Sequence, residues 1–218
     1  MRRWLLALLA LPVAALAHPF PRTAILPGWT GLAELAPGLW AGPGAPPGLV
    51  EDVADARGRV EAFWSDLPGP HRLVVCTDTA CDAALGGVDS GDGTGPYAQA
   101  FGAYLLVTYS RLLEEEVDLR RAIIAHEMSH LVLAKRVSVL RLMSGDVPAW
   151  LNEGLAVLAS GDPRFSLTDG VCARLREVDL PVTLAEWGRA AGRGERPLYQ
   201  AAACRARGWL SENGLDAL

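Results

Sequence analysis

Ile123-Ile124-Ala125-His126-Glu127-Met128-Ser129-His130-Leu131-Val132 is the stretch on which the reading of this chain turns. A helix advances about 100° per residue, so side chains four apart lie one turn above each other on the same face. His126 and His130 therefore project side by side, and both imidazoles can reach one metal ion. Glu127 follows the first histidine at an angle that brings its carboxylate to a water beside the metal rather than to the metal itself. Zinc acidifies such a water, and the carboxylate is placed to accept its proton as the water attacks a carbonyl. The neighbours Ile123, Ile124, Ala125, Leu131 and Val132 are apolar. Polar groups buried among them need partners, and a shared metal would supply one.

A catalytic zinc site commonly takes three protein ligands and keeps one position open. The chain has four histidines, and outside the motif only His18 and His71 remain. Position 136, where a longer form of the motif would place a third histidine, holds Arg136. A carboxylate is left, and Glu153 is well placed on the next helix, in Pro148-Ala149-Trp150-Leu151-Asn152-Glu153-Gly154-Leu155-Ala156. Asp146 and Asp162 are alternatives, but each lies at a helix end, where capping or a turn accounts for it. A developing oxyanion needs a donor beside the metal. Tyr199, early in the last helix, is the leading candidate, with Tyr104, Tyr109 and His71 behind it. Asn152, next to Glu153, either supports the site or is exposed.

Outward from this centre, the helix is expected to run from an Asp118 N-cap to about Val137. Ser144-Gly145-Asp146 connects it to a second helix that Pro148 opens and Gly161 ends. Apolar positions from Leu49 to Leu67 fall at helical spacing, with Pro68-Gly69-Pro70 as the stop. His71 to Thr77 and Ala103 to Tyr109 read as strands. The run from Gly86 to Gly95 contains Asp89 and Asp92 but misses the EF-hand spacing and its closing glutamate, so a surface loop is expected. Thr183-Leu184-Ala185-Glu186 is a capping box, and Pro197 to Asn213 is a last amphipathic helix stopped by Gly214. Helix, strand, loop, strand and then helices make the class α+β.

The 218 residues suit one domain, with half of them hydrophobic and a net charge of −5. An acidic balance does not suit nucleic acid or an anionic membrane as partner. Residues 1–17 read as a signal peptide, with Arg2-Arg3, an apolar core, and Ala15-Leu16-Ala17 before the cut. That implies export to the periplasm or the extracellular space, without stable membrane insertion after cleavage. Residues 18–48 form a segment rich in proline and glycine, read as extended, loop-like chain whose Trp29 and Trp40 either bind sugars or peptides or, the commoner case, pin the loop onto the core. Residues 49–218 form the single main domain. Four cysteines, an even number, suit disulfides in an oxidising compartment. Three pairings are possible, of which Cys76–Cys81 with Cys172–Cys204 is preferred. A thiolate zinc site is the rival reading, but no CxxC pair exists.

HExxH followed by Trp150-Leu151-Asn152-Glu153-Gly154-Leu155-Ala156 resembles the gluzincins, the thermolysin-like and aminopeptidase-like zinc peptidases, and their small peptidase-MA-like relatives. The resemblance covers about residues 100–160. It implies a zincin-like fold: a small mixed sheet whose edge strand packs on the zinc-binding helix, followed by a mostly helical C-terminal part. It implies one zinc ion held by His126, His130 and Glu153, Glu127 as general base, and a peptide or protein substrate. The edge strand that takes the extended substrate would be Tyr104–Tyr109. Two features depart from the family. Val157 stands where thermolysin-like enzymes have an aspartate, and no GAMEN segment precedes the helix, so exopeptidase activity is not implied. A non-catalytic relative with a structural zinc, and a zinc amidase acting on cell-wall peptides, are the competing expectations.

Overall fold

A computed structural model describes residues 19–65, 71–87, 95–191 and 196–218. The signal-peptide reading of residues 1–17, the Pro68-Gly69-Pro70 stop and residues 88–94 of the glycine-aspartate run lie outside the described residues. Among the described residues no helix is long and apolar enough to cross a membrane.

Two short parallel-forming runs, Leu73-Val74-Val75 and Leu105-Leu106-Val107, are apolar without alternation, as expected of strands covered on both faces. They form β3 (Arg72–Val75) and β5 (Leu105–Thr108) of one five-stranded sheet. The other strands are β1 (Ala33–Ala36), β2 (Leu39–Ala41) and β4 (Ala98–Phe101). The order is β1-β2-β3-β5-β4, with β2, β3 and β5 parallel and an antiparallel strand at each edge. Leu73, Val75 and Leu106 face one core; Val74, Cys76 and Val107 face another. The class is α+β.

The first core packs the sheet against three helices: α2 (Leu49–Trp64), α4 (Val117–Val137) and α6 (Ala149–Ser160). The opposite face is covered near α1 (Pro19–Ile25) and α3 (Thr79–Ala84), through Ala24, Leu85 and Tyr109. The remaining helices are α5 (Val139–Ser144), α7 (Asp169–Arg174), α8 (Leu184–Ala191) and α9 (Arg196–Asn213). A third apolar cluster joins α6 to α8 and α9 through Ala149, Trp187, Leu198, Ala201 and Ala202.

Buried polar contacts fix α4 against α2. The Asp52 carboxylate takes Arg120 at 2.6 Å and Arg121 at 2.8 Å, so a buried charge is doubly compensated. Trp64 Nε1 donates to Ser129 Oγ at 2.9 Å, inside the HExxH motif itself. Gly154 lets α6 approach α9: a Cβ there would lie 2.4 Å from the Ala202 carbonyl oxygen. Both disulfides have the preferred pairing, Cys76–Cys81 and Cys172–Cys204. The first ties β3 to the first turn of α3; the second ties α7 to α9.

Three expectations need correction. Residues 19–48 are not extended chain: they supply α1, a 3-10 turn and strands β1 and β2. The strands are only three or four residues long and separated by a tight turn at Gly38, and half of their pairing is with distant β3. Trp40 is half-buried on β2, but Trp29 is 71% exposed and so is not buried against the core. Asp118 is not the N-cap of α4. Glu116 holds that position without a side-chain cap, and Asp118 contributes its charge in the first turn. Finally, Leu105–Thr108 is an inner strand, and the edge beside α4 is β4.

Candidate metal centre

The helical spacing of α4 brings the His126 and His130 rings to 4.8 Å between centroids. His126, Glu127 and His130 offer ligand atoms within 4.8 Å of one another, a group that could hold a metal ion. Helix α6 crosses this face and adds a second carboxylate. Glu153 Oε2 lies 3.3 Å from His126 Nε2 and 3.6 Å from His130 Nε2. Bonds of about 2.0–2.1 Å put tetrahedral ligand atoms about 3.3–3.4 Å apart, so this trio is spaced for one ion. The three side chains are largely buried, His126 and Glu153 at 12% exposure each.

The donor chemistry supports the fit. His130 Nδ1 lies 2.9 Å from Asn152 Oδ1, and an amide oxygen can only accept, so Nδ1 carries the proton. His130 then turns its Nε2 towards the Glu153 carboxylate, on the side where an ion would sit. A cation shared by the two Nε2 atoms and Glu153 Oε2 would satisfy all three, and their spacing admits one. Burial alone would raise the Glu153 carboxyl, but the facing His130 and His126 imidazoles outweigh it and hold the group below its usual range. Glu153 is thus an anion poised for a positive partner.

Glu127 has a different environment. Its Oε2 accepts from the Ala100 backbone amide of β4 at 3.0 Å. Burial, followed by the nearby Glu153 charge, pushes its carboxyl up to about 7, while His130 and the Ala100 amide pull the other way. Two carboxylates side by side therefore have opposed proton affinities, a pattern found where one group binds charge and the other carries protons.

Both α4 residues His126 and Glu127 line a cleft of ≈ 420 Å³. One wall is the approach to the edge strand, Gly95 to Ala98; the rest comes from Ile123, Arg164, Phe165, Ala191 and Tyr199. A larger hollow of ≈ 640 Å³ lies beside the Cys172–Cys204 disulfide, and the His126, Glu127, His130 group does not line it.

Of the four candidate oxyanion donors, the structure brings Tyr199 alone into this cleft. Its ring is 6.1 Å from that of His126 and stacks on Phe165 at 6.1 Å. Burial and the Glu153 charge push the phenol well above its usual range, so it remains a proton donor. Tyr104 is 64% exposed at the β4–β5 turn. Tyr109 points its hydroxyl at Leu85 O and Gln99 Oε1, both at 3.2 Å, and burial above all pushes it up to about 12. His71 contacts Arg57. Among the alternative ligands, Asp146 is exposed and Asp162 is taken by Arg164 at 2.6 Å.

Sequence reading missed Arg164, Phe165 and the Ala98–Phe101 edge. Arg164 stands in a short loop with no motif around it. Only its spacing from Asp162, two residues earlier, hinted at a fixed guanidinium. Protein-family models give no match to this chain, and searches of curated proteins and of solved structures give none either. Any functional reading therefore rests on the residues themselves.

Proposed function

We propose that this protein is an exported zinc-dependent peptidase of the gluzincin type, with a zincin-like fold. The observation that carries the reading is the convergence of the His126 and His130 Nε2 atoms on Glu153 Oε2, with the Glu127 carboxylate beside them in an open cleft. His126, His130 and Glu153 are the ligands. Glu127 is left out of the ligand set because its Oε2 is engaged by the β4 amide, and because Glu153 Oε2 lies within 3.6 Å of both imidazole Nε2 atoms.

When bound, zinc supplies Lewis acidity that makes water a nucleophile near neutral pH. Glu127 accepts the proton of the attacking water and delivers it to the departing amine; burial, which raises its carboxyl, suits a group that holds a proton between the two transfers. Asn152 keeps the proton of His130 on Nδ1 and so leaves Nε2 free for the metal. Tyr199 donates its phenolic hydrogen to the oxygen on which charge develops. The outer edge of β4 offers backbone groups around Ala98 to an extended peptide, as in β-augmentation. The two disulfides suit an oxidising compartment outside the cytoplasm.

The test is hydrolysis of a mixed peptide library by the zinc-loaded protein and by its Glu127→Gln variant. Cleavage by the wild type that falls at least a hundredfold in the variant supports the reading. Equal cleavage by both proteins, or cleavage by neither, overturns it.

A further inference from the structure

Arg164 lines the cleft beside Phe165, in the loop that follows α6. Its partner Asp162 is fully buried at the side chain, while Arg164 remains 30% exposed. The Arg164 Nε donates to both Asp162 oxygens at 3.0 Å, Nη2 donates to Oδ2 at 2.6 Å, and the Arg164 backbone amide donates to Oδ1 at 2.9 Å. The guanidinium is therefore held in one plane by a carboxylate that cannot itself reach solvent. The Phe165 ring lies 5.4 Å from its carbon and supports that plane.

A guanidinium carries five N–H donors. The Asp162 contact uses the edge formed by Nε and one side of Nη2. The other edge, formed by Nη1 and the second hydrogen of Nη2, donates to no group among the described residues. That edge matches the two oxygens of a carboxylate, and a pre-oriented fork loses little entropy on binding one. An arginine serving only to cap the loop would not need to border the same cleft as Glu127 and Tyr199.

We propose that the outer edge of Arg164 binds a carboxylate of the substrate, so that the cleft prefers peptides with an acidic side chain or a free C-terminus near the bond to be cut. The proposal rests on the peptidase reading for the identity of the ligand as a peptide. Its recognition chemistry stands on the Asp162–Arg164 geometry alone. The two carboxylate sources share one chemistry and are separated by experiment.

The experiment is calorimetric titration of the zinc-loaded full chain carrying Glu127→Gln, so that no peptide is consumed. Three N-acetylated alanine pentapeptides serve as probes: one with a free C-terminal carboxylate, one amidated, and one amidated with a central glutamate. At least one of the two carboxylate peptides should bind about tenfold or more tighter than the neutral one, and the tighter of the two identifies the source. Adding Arg164→Gln should abolish that ratio. The Asp162→Asn/Arg164→Gln pair should abolish it too, without leaving a buried carboxylate unpaired.

Equal binding of all three peptides, no measurable binding of any, or a ratio that survives in both variants overturns the proposal. A purely structural role for Arg164 would lower all three affinities together and keep the ratio. If the ratio is found and the wild type cleaves nothing, the peptidase reading fails and the carboxylate site stands. If Glu127-dependent cleavage occurs without the ratio, only the carboxylate site fails.

Discussion

Asn152 Oδ1 stands 2.9 Å from His130 Nδ1, and this contact links the residue before the candidate ligand Glu153 to the second histidine of the HExxH motif. One turn of α6 thus contributes both a carboxylate and the hydrogen bond that sets the tautomer of a partner imidazole. Removing such an outer partner typically costs 10–100-fold in metal affinity. Asn152→Ala should therefore weaken zinc binding by about that factor, while Asn152→Asp, which keeps an acceptor, should lose less. Competition against a chromogenic chelator measures both; an unchanged affinity in Asn152→Ala would remove the role assigned here.

Gly154, on the other side of Glu153, is required by packing. A Cβ at this position meets the Ala202 carbonyl oxygen at 2.4 Å and the Ala206 Cβ at 2.7 Å. The first of these is backbone and cannot rotate away. Gly154→Ala should destabilise the protein by about 3 kcal/mol, read from the urea midpoint. Adding Ala206→Gly should restore little, because the carbonyl contact persists. A loss below about 1 kcal/mol would mean that α6 and α9 are free to separate.

Much of this centre was legible because it is local. His126, Glu127 and His130 lie within one and a half turns of a helix, and Glu153 sits on α6, separated from α4 only by the short helix α5 and a tight turn. The Pro148 start, the Gly161 stop and the Thr183–Glu186 box were equally readable, since each depends on residues within four positions. Residues 19–48 were not, because β2 is defined by pairing with β3 more than thirty residues away. The same physics moved the edge strand. Ala98-Gln99-Ala100-Phe101 carries a weaker strand signal than Leu105-Leu106-Val107-Thr108, and only sheet order reveals that the weaker run is the outer one. Arg164 reaches the cleft through tertiary folding that no short pattern encodes.

The capping box gives a pH dependence. Thr183 and Val182 backbone amides donate to Glu186 Oε2 at 3.0 and 3.3 Å, and Glu186 N–H donates to Thr183 Oγ1 at 3.2 Å. The Thr183 amide first, and its side chain next, hold the Glu186 carboxyl below the usual range. A depressed carboxyl stabilises the fold above its unfolded pKa, and this contribution is lost as pH falls through the folded one. Helix α8 carries Trp187, whose ring meets Tyr199 at 5.1 Å, so the effect reaches the cleft wall. The gap in thermal midpoint between wild type and Glu186→Gln should narrow from about pH 6 to about pH 3. A gap that stays constant would show that the box contributes no charge-dependent stability.

The two disulfides should differ in weight. Cys172–Cys204 spans 32 residues and Cys76–Cys81 spans 5. Loop-closure entropy then predicts a loss of about 3–4 kcal/mol for Cys172→Ala/Cys204→Ala and about 2 kcal/mol for Cys76→Ala/Cys81→Ala. Chemical denaturation of the two double variants ranks them, and the reverse order would contradict a chain-entropy origin.

The choice between the two carboxylates is the core of the proposed chemistry, and a zinc titration of three proteins decides it. The wild type should bind one zinc per chain, Glu127→Gln should bind it with similar affinity, and Glu153→Ala should lose on the order of a hundredfold or more. Full retention of zinc by Glu153→Ala, with loss in Glu127→Gln, would make Glu127 the third ligand and leave the proposed reaction without its base.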